Sequence, residues 1–576
     1  MTSIDTTFDN AAAAHTAALD EAHVGHIRGA FGSIAHGDTG PRTTLKARLK
    51  TLMAILGPGL IVMVGDNDAG AFGTYTQAGQ NYGTALMWTL LLLVPVLYVN
   101  QEMVLRLGAV TGVGHARLIL ERFGRFWGAF SVIDLFLLNA LTIVTEFIGI
   151  NLALGYLGVA RAWGIMIAAV IVIAAASTGS FRRFERFCLA LCFFSLLLAP
   201  IFVMVRPPLG QVAHDLVVPA FPAGAKLADV MLLVIAIVGT TVAPWQLFFQ
   251  QSYVIDKRIT PRFMAYGKGD LWVGIVVVIL GAVAMMAFTA AAFHGTPDFG
   301  QFSDAGGVAK GLEAAAGRSA GVMFALALLD ASIIGASAVS LATAYAIGDV
   351  LSLRHSLHRK ATDARGFYAV YAGLIALAAG LVLFGSDSLL GLLTTAVQTL
   401  AGVLLPSATV FLLLLCNDRA VLGPWVNGRW LNLFTGAVIW VLVTLSIVLT
   451  AATVFPDLSG EAILAILVGG TVLGVAGFAA FSVMRPSATA AARPESTAAA
   501  RPDSTAAARP AASAANHERR EKLKAARANW RMPPLDTLPR AHISRSRRAW
   551  MGVLRLYLVV AVVLVVVKVA QLAVGS

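Results

Sequence analysis

The chain contains about a dozen apolar segments separated by short polar breaks, and this series constrains its fold more than any other feature. A helix that crosses a membrane needs about 20 mostly apolar residues. Only 13% of the residues are charged, whereas soluble chains carry about 25%. We therefore predict an all-α polytopic membrane protein with twelve spans and a detached thirteenth. The predicted spans are 54–75, 85–107, 126–157, 163–177, 188–205, 230–250, 271–293, 321–347, 368–384, 389–416, 431–450, 463–481 and 554–574.

Basic residues are concentrated in every second break, which predicts the orientation of the chain. The breaks after the second, fourth, sixth and eighth predicted spans are rich in arginine and lysine, whereas the intervening breaks are poor in them. The positive-inside rule then places the N-terminus in the cytoplasm of a multi-pass protein of the inner (plasma) membrane. These loops also explain the formal net charge of +12, so membrane lipid is an expected partner and nucleic acid is not.

Composition divides the chain into five parts. Arg-Pro recurs from Arg485 to Arg509 among Ala, Ser and Thr, and such a segment cannot bury a core. The basic segment that follows is expected either to lie on anionic lipid of the inner leaflet or to form a short cytoplasmic helix. The predicted parts are a polar, mobile cytoplasmic tail at 1–46, a transmembrane core at 47–484, a disordered linker at 485–516, a basic cytoplasmic segment at 517–548 and a C-terminal anchor at 549–576.

Two aspartates and an asparagine interrupt the first predicted span, in the sequence Gly-Asp-Asn-Asp-Ala-Gly at 65–70. One aspartate at a helix centre costs about 2.5–3.5 kcal/mol on insertion scales, and the flanking glycines allow the helix to break. An unwound stretch frees backbone carbonyls beside the carboxylates, which is typical of a cation site within a membrane. The alternative is a polar helix end after Val64, but the apolar run before it is then short for a span.

The sixth predicted span carries a second interruption, between Gly239 and Pro244. Proline removes a backbone donor and clashes with the preceding turn, although a proline kink alone is common in membrane helices. The first and sixth spans correspond to each other if two five-helix halves repeat with inverted topology. Paired interrupted segments of this kind indicate the binding site of a transporter.

Four further ionisable residues lie within predicted spans, where such residues are functional candidates by default. Glu102 is near a span end beside Arg106, so we expect a structural ion pair there. Asp134 and Asp330 are expected to be packed and hydrogen-bonded inside the helix bundle. Glu146 lies in the middle of a span without a local base, and we assign it to the ion pathway.

Several motifs resemble those of the NRAMP family of divalent-metal transporters. They are Gly-Pro-Gly at 57–59, the interrupted first span, Gln-Ala-Gly at 77–79 and Ala-Pro-Trp at 243–245, and the resemblance covers about residues 46–481. The resemblance implies a LeuT-type fold, which is a 5+5 inverted repeat with broken first and sixth helices. It also implies transport by alternating access.

The chain departs from the ordinary family pattern at the positions of metal ligands. The family's metal-binding aspartate corresponds to Asp68, whereas its asparagine ligand corresponds to Ala71 and its methionine ligand to Ala243. Asp66 and Asn67 are additions. This altered set, with Asp-Asn-Asp-Ala-Gly and Ala-Pro-Trp, resembles the NRAMP-related magnesium transporters.

The substitutions also change the chemistry that the resemblance implies. A thioether favours Mn2+ and Fe2+, whereas the remaining carboxylate, amide and carbonyl oxygens suit a mostly hydrated Mg2+. Histidines of ordinary members correspond to Trp245 and Gln250, and an aspartate of their third span corresponds to Ile143. A proton relay therefore loses much of its apparatus.

We accordingly predict uptake of divalent cations, Mg2+ and also Mn2+, by alternating access without proton coupling. The transported ion is the substrate, and no other cofactor is expected. The predicted metal site comprises Gly65, Asp66, Asn67, Asp68 and Ala243. The residues predicted to line it are Gly70, Ala71, Glu146, Trp245, Gln246, Gln250 and Gln398.

Two other functions stay open on the sequence alone. One is a proton-coupled Mn2+/Fe2+ symporter, because the likeness to the whole family is broader than the argument from the site. The other is a metal sensor or receptor that binds without transporting, which a flux measurement would separate from both transporters. An enzyme is disfavoured, since the sequence contains no nucleophile–base arrangement, phosphate loop or HExxH motif. No obligate protein partner is evident.

Overall fold

The structure is a computed structural model that describes residues 17–455, 458–483, 526–539, 541, 551–552 and 559. The side chains of residues 387–396, 398–400, 403, 453–454 and 480–483 lie outside this description. The predicted linker and nearly all of the predicted C-terminal anchor fall outside it as well.

The described residues are almost entirely helical, with one short antiparallel hairpin formed by β1 (Ile27–Gly29) and β2 (Gly32–Ile34). The helices of the first half are α1 (Leu45–Ile55), α2 (Pro58–Val64), α3 (Ala69–Tyr82), α4 (Trp88–Thr111), α5 (His115–Phe123), α6 (Arg125–Tyr156), α7 (Arg161–Ala176), α8 (Phe181–Phe194), α9 (Leu198–Val205) and α10 (Leu209–Val217). Those of the second half are α11 (Leu227–Thr241), α12 (Pro244–Asp256), α13 (Met264–Phe293), α14 (Ala305–Ala316), α15 (Arg318–Val350), α16 (Arg365–Phe384), α17 (Asp387–Cys416), α18 (Arg419–Leu422), α19 (Arg429–Val454) and α20 (Gly460–Val483). Short 3-10 turns lie at Glu21–His23, Ser195–Leu197, Pro261–Phe263, Gly423–Trp425 and Leu535–Thr537.

The all-α polytopic class is confirmed, whereas the exact number of spans is not settled by the described residues. Within the described ranges, nine helical segments are long and apolar enough to cross a membrane, or up to eleven if each of two bent pairs is one span. One bent pair is α1 with α2, at 52°, and the other joins the end of α17 to the segment 419–425, at 66°. Helix α7 has 16 residues, which is short for the full crossing predicted at 163–177.

Three long helices form the centre of the bundle and position the two interrupted spans. Helix α15 packs along α6, while α13 lies against α2, α3 and α4. Helix α3 therefore sits between α13 and the α6–α15 pair, whereas α2 packs against α13, α12 and α8.

The N-terminal segment at 17–34 packs against the helical core, where the sequence suggested a mobile tail. Ala30 is buried, and the Asp20 carboxylate accepts a 2.6 Å hydrogen bond from Arg359 Nη2 and a 2.9 Å bond from the His355 backbone N–H. Burial opposes ionisation of Asp20, but the hydrogen bonds from Arg359 and the backbone outweigh it and hold the pKa of Asp20 below its usual range. The segment is thus held by residues more than 300 positions away in the chain.

A second docked segment, at 526–539, lies beyond the predicted linker. The Arg527 guanidinium carbon lies 4.0 Å from the centroid of the Trp425 ring, and the Met532 backbone N–H donates to the Val110 carbonyl at 3.2 Å. The Trp530 indole covers Gly423 so closely that a Cβ at that position would collide with it. Part of the region predicted as a basic cytoplasmic segment is therefore attached to the core.

Candidate metal site

The first span is broken as predicted, since α2 ends at Val64 and α3 begins at Ala69. In a continuous helix the Ala69 N–H would bond the Gly65 carbonyl, but here it donates to Glu146 Oε2 at 3.2 Å. The Ala71 N–H would bond the Asn67 carbonyl, but it donates to Asp68 Oδ1 at 2.9 Å, which makes Asp68 the N-cap of α3. Carboxylates thus take the donors of the break and free its backbone carbonyls.

The sixth span is broken between Thr241, where α11 ends, and Pro244, where α12 begins. Proline has no N–H, so the Thr240 carbonyl loses the donor that a continuous helix would supply. The Ala243 carbonyl accepts a 3.2 Å bond from the Gln246 backbone N–H and the Thr241 carbonyl accepts a 3.3 Å bond from Gln246 Nε2. This break therefore supplies carbonyl oxygens and no charge.

Gln246 joins the two breaks directly. Its Nε2 also donates to Asp66 Oδ1, and its Oε1 accepts a 2.8 Å hydrogen bond from Gln101 Nε2 on α4. All three side chains are buried. The second oxygen of the carboxylate, Asp66 Oδ2, has no hydrogen-bond donor within the described part of the chain. The first and sixth spans are thus coupled through one amide.

Glu146 lies beside Asp68, although the two residues are far apart in the sequence. Their carboxyl groups are within hydrogen-bonding reach, and Glu146 Oε1 has no donor among the described residues. Gly335 on α15 makes room for the group, because a Cβ there would lie 2.7 Å from Glu146 Cδ. The third span therefore delivers a third carboxyl to the first break.

The remaining predicted residues lie at different distances from this cluster. The Trp245 ring covers the first break, 3.6 Å from where a Gly65 Cβ would stand. Asn67 Nδ2 donates to the Val278 carbonyl of α13 at 3.2 Å, whereas Asn67 Oδ1 lacks a donor in the described ranges. Gln250 is buried further along α12, and the side chain of Gln398 on α17 is outside the described residues.

Gly70 and Ala71, which were predicted to line the site, supply backbone N–H groups to Asp68.

Sequence reasoning missed three polar residues at the breaks. Gln101 orients Gln246, and the Tyr75 hydroxyl bonds Thr241 Oγ1 at 2.7 Å, which ties α3 to α11. The signal for Gln101 was present as three consecutive polar residues, Asn-Gln-Glu at 100–102, inside an apolar span.

Among the described residues, no group of three or more His, Cys, Asp or Glu side chains is placed so that these side chains alone could hold a metal ion. The cluster instead combines the carboxyls of Asp66, Asp68 and Glu146 with freed carbonyls and amides. Such a mixed oxygen site with few protein ligands suits a cation that keeps part of its water and is bound only in passing.

Comparisons with known proteins agree with this architecture. A family model described as natural resistance-associated macrophage protein-like (Nramp) matches residues 59–452. The divalent metal cation transporter MntH of Ralstonia nicotianae is 32% identical over 417 residues, which cover 68% of this chain and 88% of that protein. MntH 1 of Pseudomonas aeruginosa is 28% identical over 408 residues, covering 67% of this chain and 88% of that protein.

A solved structure shares the fold. The manganese transporter of Eremococcus coleocola, in complex with an aromatic bis-isothiourea substituted compound, superposes with a TM-score of 0.60 at 21% identity. The match covers 77% of this chain and 97% of the other. The predicted LeuT-type architecture with broken first and sixth helices is confirmed at the level of the fold.

Proposed function

Since this chain belongs to the Nramp family, we propose that it transports divalent metal cations across the membrane by alternating access, and that Mg2+ is a principal substrate. Transport of divalent metals is the activity named for the relatives from Ralstonia and Pseudomonas. The finer assignment of Mg2+ rests on the residues that frame the two breaks.

The observation that supports Mg2+ is the set of unpaired acceptors around the first break. Asp66 Oδ2, Asn67 Oδ1 and Glu146 Oε1 are buried and lack donors among the described residues. A buried carboxylate or amide oxygen without a donor is costly unless a cation or water satisfies it. Each of these acceptors is a hard oxygen, which Mg2+ prefers.

The sixth break supports the same assignment because it offers no soft ligand. Ala243 begins the turn that leads into α12, and its methyl group has no lone pair. The neighbouring Trp245 Nε1 is a donor only and cannot bind a cation. Without a thioether, the site loses the contact that favours Mn2+ over Mg2+, so we expect Mn2+ to be carried as well but not strongly preferred.

We infer transport driven by the metal gradient and the membrane voltage. A negative interior favours entry of a divalent cation by about 4.6 kcal/mol per 100 mV, twice the value for a single charge, so a proton gradient is not required. The family's histidine positions hold Trp245 and Gln250, neither of which titrates. The basic breaks support an inner-membrane orientation with the N-terminus in the cytoplasm.

A proton-coupled Mn2+/Fe2+ symporter is the second candidate, and one contact favours it. Asp68 and Glu146 lie within hydrogen-bonding reach, and two carboxyl groups in contact share a proton. If the entering cation displaced this proton, movement of the metal would be coupled to movement of the proton. For proton-free transport, the proton must instead stay on Glu146 while the metal binds Asp68.

Uptake into liposomes with internal pH recorded separates the two candidates. We expect Mg2+ entry under a negative-inside voltage to leave internal pH unchanged, and Glu146→Gln to keep most of the uptake because an amide oxygen still accepts from Ala69. Acidification in step with metal entry, abolished by Glu146→Gln, would establish the symporter instead. Metal binding without flux would indicate a sensor or receptor.

A further inference from the structure

A cluster of positive charge lies where α4 ends and α13 begins, at the end of the molecule that carries the basic breaks. The Glu102 carboxylate bridges two cations, with Oε2 3.1 Å from Arg106 Nη2 and Oε1 2.9 Å from Lys268 Nζ. A third cation, Arg527 of the docked segment 526–539, lies within electrostatic range of Arg106 and Glu102. Three cations around one carboxylate leave two positive charges uncompensated among the described residues.

The Arg527 guanidinium is held in place while its N–H groups stay free. Its central carbon lies 4.0 Å from the centroid of the Trp425 ring, and the Trp425 indole N–H donates to the Arg527 carbonyl at 2.9 Å. Partial burial and the nearby charge of Arg106 lower the pKa of Arg527. Within the described part of the chain, no acceptor takes a hydrogen bond from this guanidinium. A guanidinium stacked on a ring presents its N–H groups along its edge, and this fork matches the oxygens of a phosphate.

Arg106 adds a second unsatisfied donor to the cluster. Its side chain is buried, and its Nη1 and Nη2 donate to the Trp425 carbonyl at 2.7 Å and to Asn427 Oδ1 at 2.6 Å. Arg106 Nε, however, has no acceptor in the described ranges. A buried N–H without an acceptor is costly, so an anionic oxygen entering the cluster would find both charge and an unused donor.

The outer surface beside the cluster changes from charged to aromatic and then to apolar. On α13, Lys268 is followed at intervals of four residues by Trp272, Val276 and Leu280, which lie along one side of the helix and are exposed. The Trp272 ring stacks on Tyr98 of α4, with centroids 4.8 Å apart. Tryptophan and tyrosine are enriched at the headgroup level of membranes. The surface therefore follows the order of phosphate, glycerol and acyl chain in a phospholipid.

We propose that an anionic phospholipid binds at the seam between α4 and α13, with its phosphate held by Lys268 and Arg527 and an acyl chain along Trp272, Val276 and Leu280. Basic pockets between transmembrane helices on the cytoplasmic side bind anionic headgroups in this way. The docked segment 526–539 supplies one cation of the site. The proposal uses the orientation proposed above only to place the lipid in the inner leaflet, and it does not depend on transport.

The test measures lipid affinity of the full-length protein in a neutral detergent. Energy transfer from the tryptophans to a dansyl-labelled phosphatidylglycerol reports binding, and unlabelled phosphatidylcholine with the same acyl chains is the zwitterionic competitor. We expect phosphatidylglycerol to bind about tenfold or more tightly than phosphatidylcholine. Arg527→Gln and Lys268→Gln should each weaken phosphatidylglycerol binding about fivefold, the effect of one cation near an anionic headgroup.

A matched control removes an exposed charge at the same end of the molecule. Arg354 is exposed in the break between α15 and α16, and Arg354→Gln should leave the affinity for phosphatidylglycerol unchanged. An equal loss in this variant would show general attraction to a basic surface and would overturn the proposal. Unchanged affinity in both Arg527→Gln and Lys268→Gln would overturn it as well.

Glu102→Gln separates a lipid site from simple disruption of the seam. Glutamine keeps one oxygen for hydrogen bonds from Arg106 and Lys268 but removes the negative charge. Phosphatidylglycerol should therefore bind about fivefold more tightly, whereas a damaged seam would bind it less. Weaker binding in a variant with unchanged thermal unfolding would contradict the proposal. If this variant does not fold, the two variants of the more exposed Arg527 and Lys268 decide the question.

Two competitors distinguish the lipid from other anions at constant ionic strength. Millimolar inorganic phosphate offers the same oxygens without acyl chains, and a short polyglutamate peptide represents an acidic protein partner. Neither should displace the labelled lipid, because neither covers the aromatic and apolar part of the seam. Displacement by phosphate would indicate a site for free phosphate, and displacement by the peptide would indicate a protein interface. Either result would overturn the lipid assignment.

Discussion

The two helix breaks meet at one place but contribute different chemistry. The first break brings Asp66 and Asp68, and the Asp68 carboxylate takes backbone donors from the start of α3. The second brings Pro244, which removes a donor, and Gln246, whose amide reaches across to Asp66. The first break supplies negative charge, whereas the second supplies neutral polar groups.

Under the proposed function, this asymmetry allows the site to bind a divalent cation and also to release it. Two or three carboxyls compensate the charge, while amide and carbonyl groups adjust as the ion enters and leaves. Under the same proposal, the choice between Mg2+ and Mn2+ depends on the second break, where Ala243 offers no sulfur ligand.

The largest effect is expected at the charged break. Asp68→Ala should lower Mg2+ uptake by about 100-fold or more, since about 3 kcal/mol of cation stabilisation corresponds to that factor. Asp68→Asn should be about as inactive, although asparagine keeps the cap of α3. The measurement is uptake into liposomes with folding checked by thermal unfolding. Asp134→Asn, on α6 outside both breaks, is the control and should transport normally.

The bridge between the breaks should have the next largest effect. Gln246→Leu leaves Asp66 Oδ1 without its donor and Gln101 without its acceptor, so we expect uptake to fall about tenfold, as for loss of one hydrogen bond to a charged group. Gln250→Leu, one turn further along the same helix, is the matched control. Equal losses in the two variants would show that the amide bridge has no special role.

The neutral break should change selectivity more than rate. Ala243→Met offers a thioether and should raise the preference for Mn2+ over Mg2+ by about tenfold, the effect of about 1.4 kcal/mol. Ala243→Leu has a similar volume without sulfur and should not shift the preference. The preference is measured as the competition between Mg2+ and Mn2+ during uptake. A shift of the same size in both variants would mean that size alone governs the second break.

The smallest effect on transport is expected where neither break is touched. Trp530→Ala removes the indole that covers Gly423, and should lower the free energy of unfolding by about 1–3 kcal/mol while Mg2+ uptake per folded molecule stays the same. Trp430→Ala is the control, because that ring is 83% exposed. A loss of uptake in folded Trp530→Ala protein would link the docked segment to the transport cycle.

Local chemistry made the breaks predictable from the sequence. Carboxylates, glycine and proline inside an apolar run conflict with a continuous helix, and the conflict is visible within a few residues of the chain. Span positions were predictable for the same reason, as at 230–250, which lies within the observed helical segment Leu227–Asp256. Predictions failed where a residue's surroundings depend on distant parts of the chain.

Lys257 shows this limit most clearly. The sequence placed it among the basic residues of a cytoplasmic loop, yet the structure buries it completely beside Glu185, 72 positions away. The N-terminal segment was taken as mobile because its partners, including Arg359, are remote in the sequence. Partner choice across helices is set by the tertiary fold and not by local pattern.

Uptake of Mg2+ in competition with Mn2+ tests the central claim most directly. Liposomes containing the protein, with a negative-inside voltage, are given millimolar Mg2+ together with micromolar Mn2+. An all-oxygen site predicts substantial Mg2+ entry that micromolar Mn2+ does not suppress. Uptake of micromolar Mn2+ with no entry of millimolar Mg2+ would contradict the account and would restore the symporter of soft divalent metals.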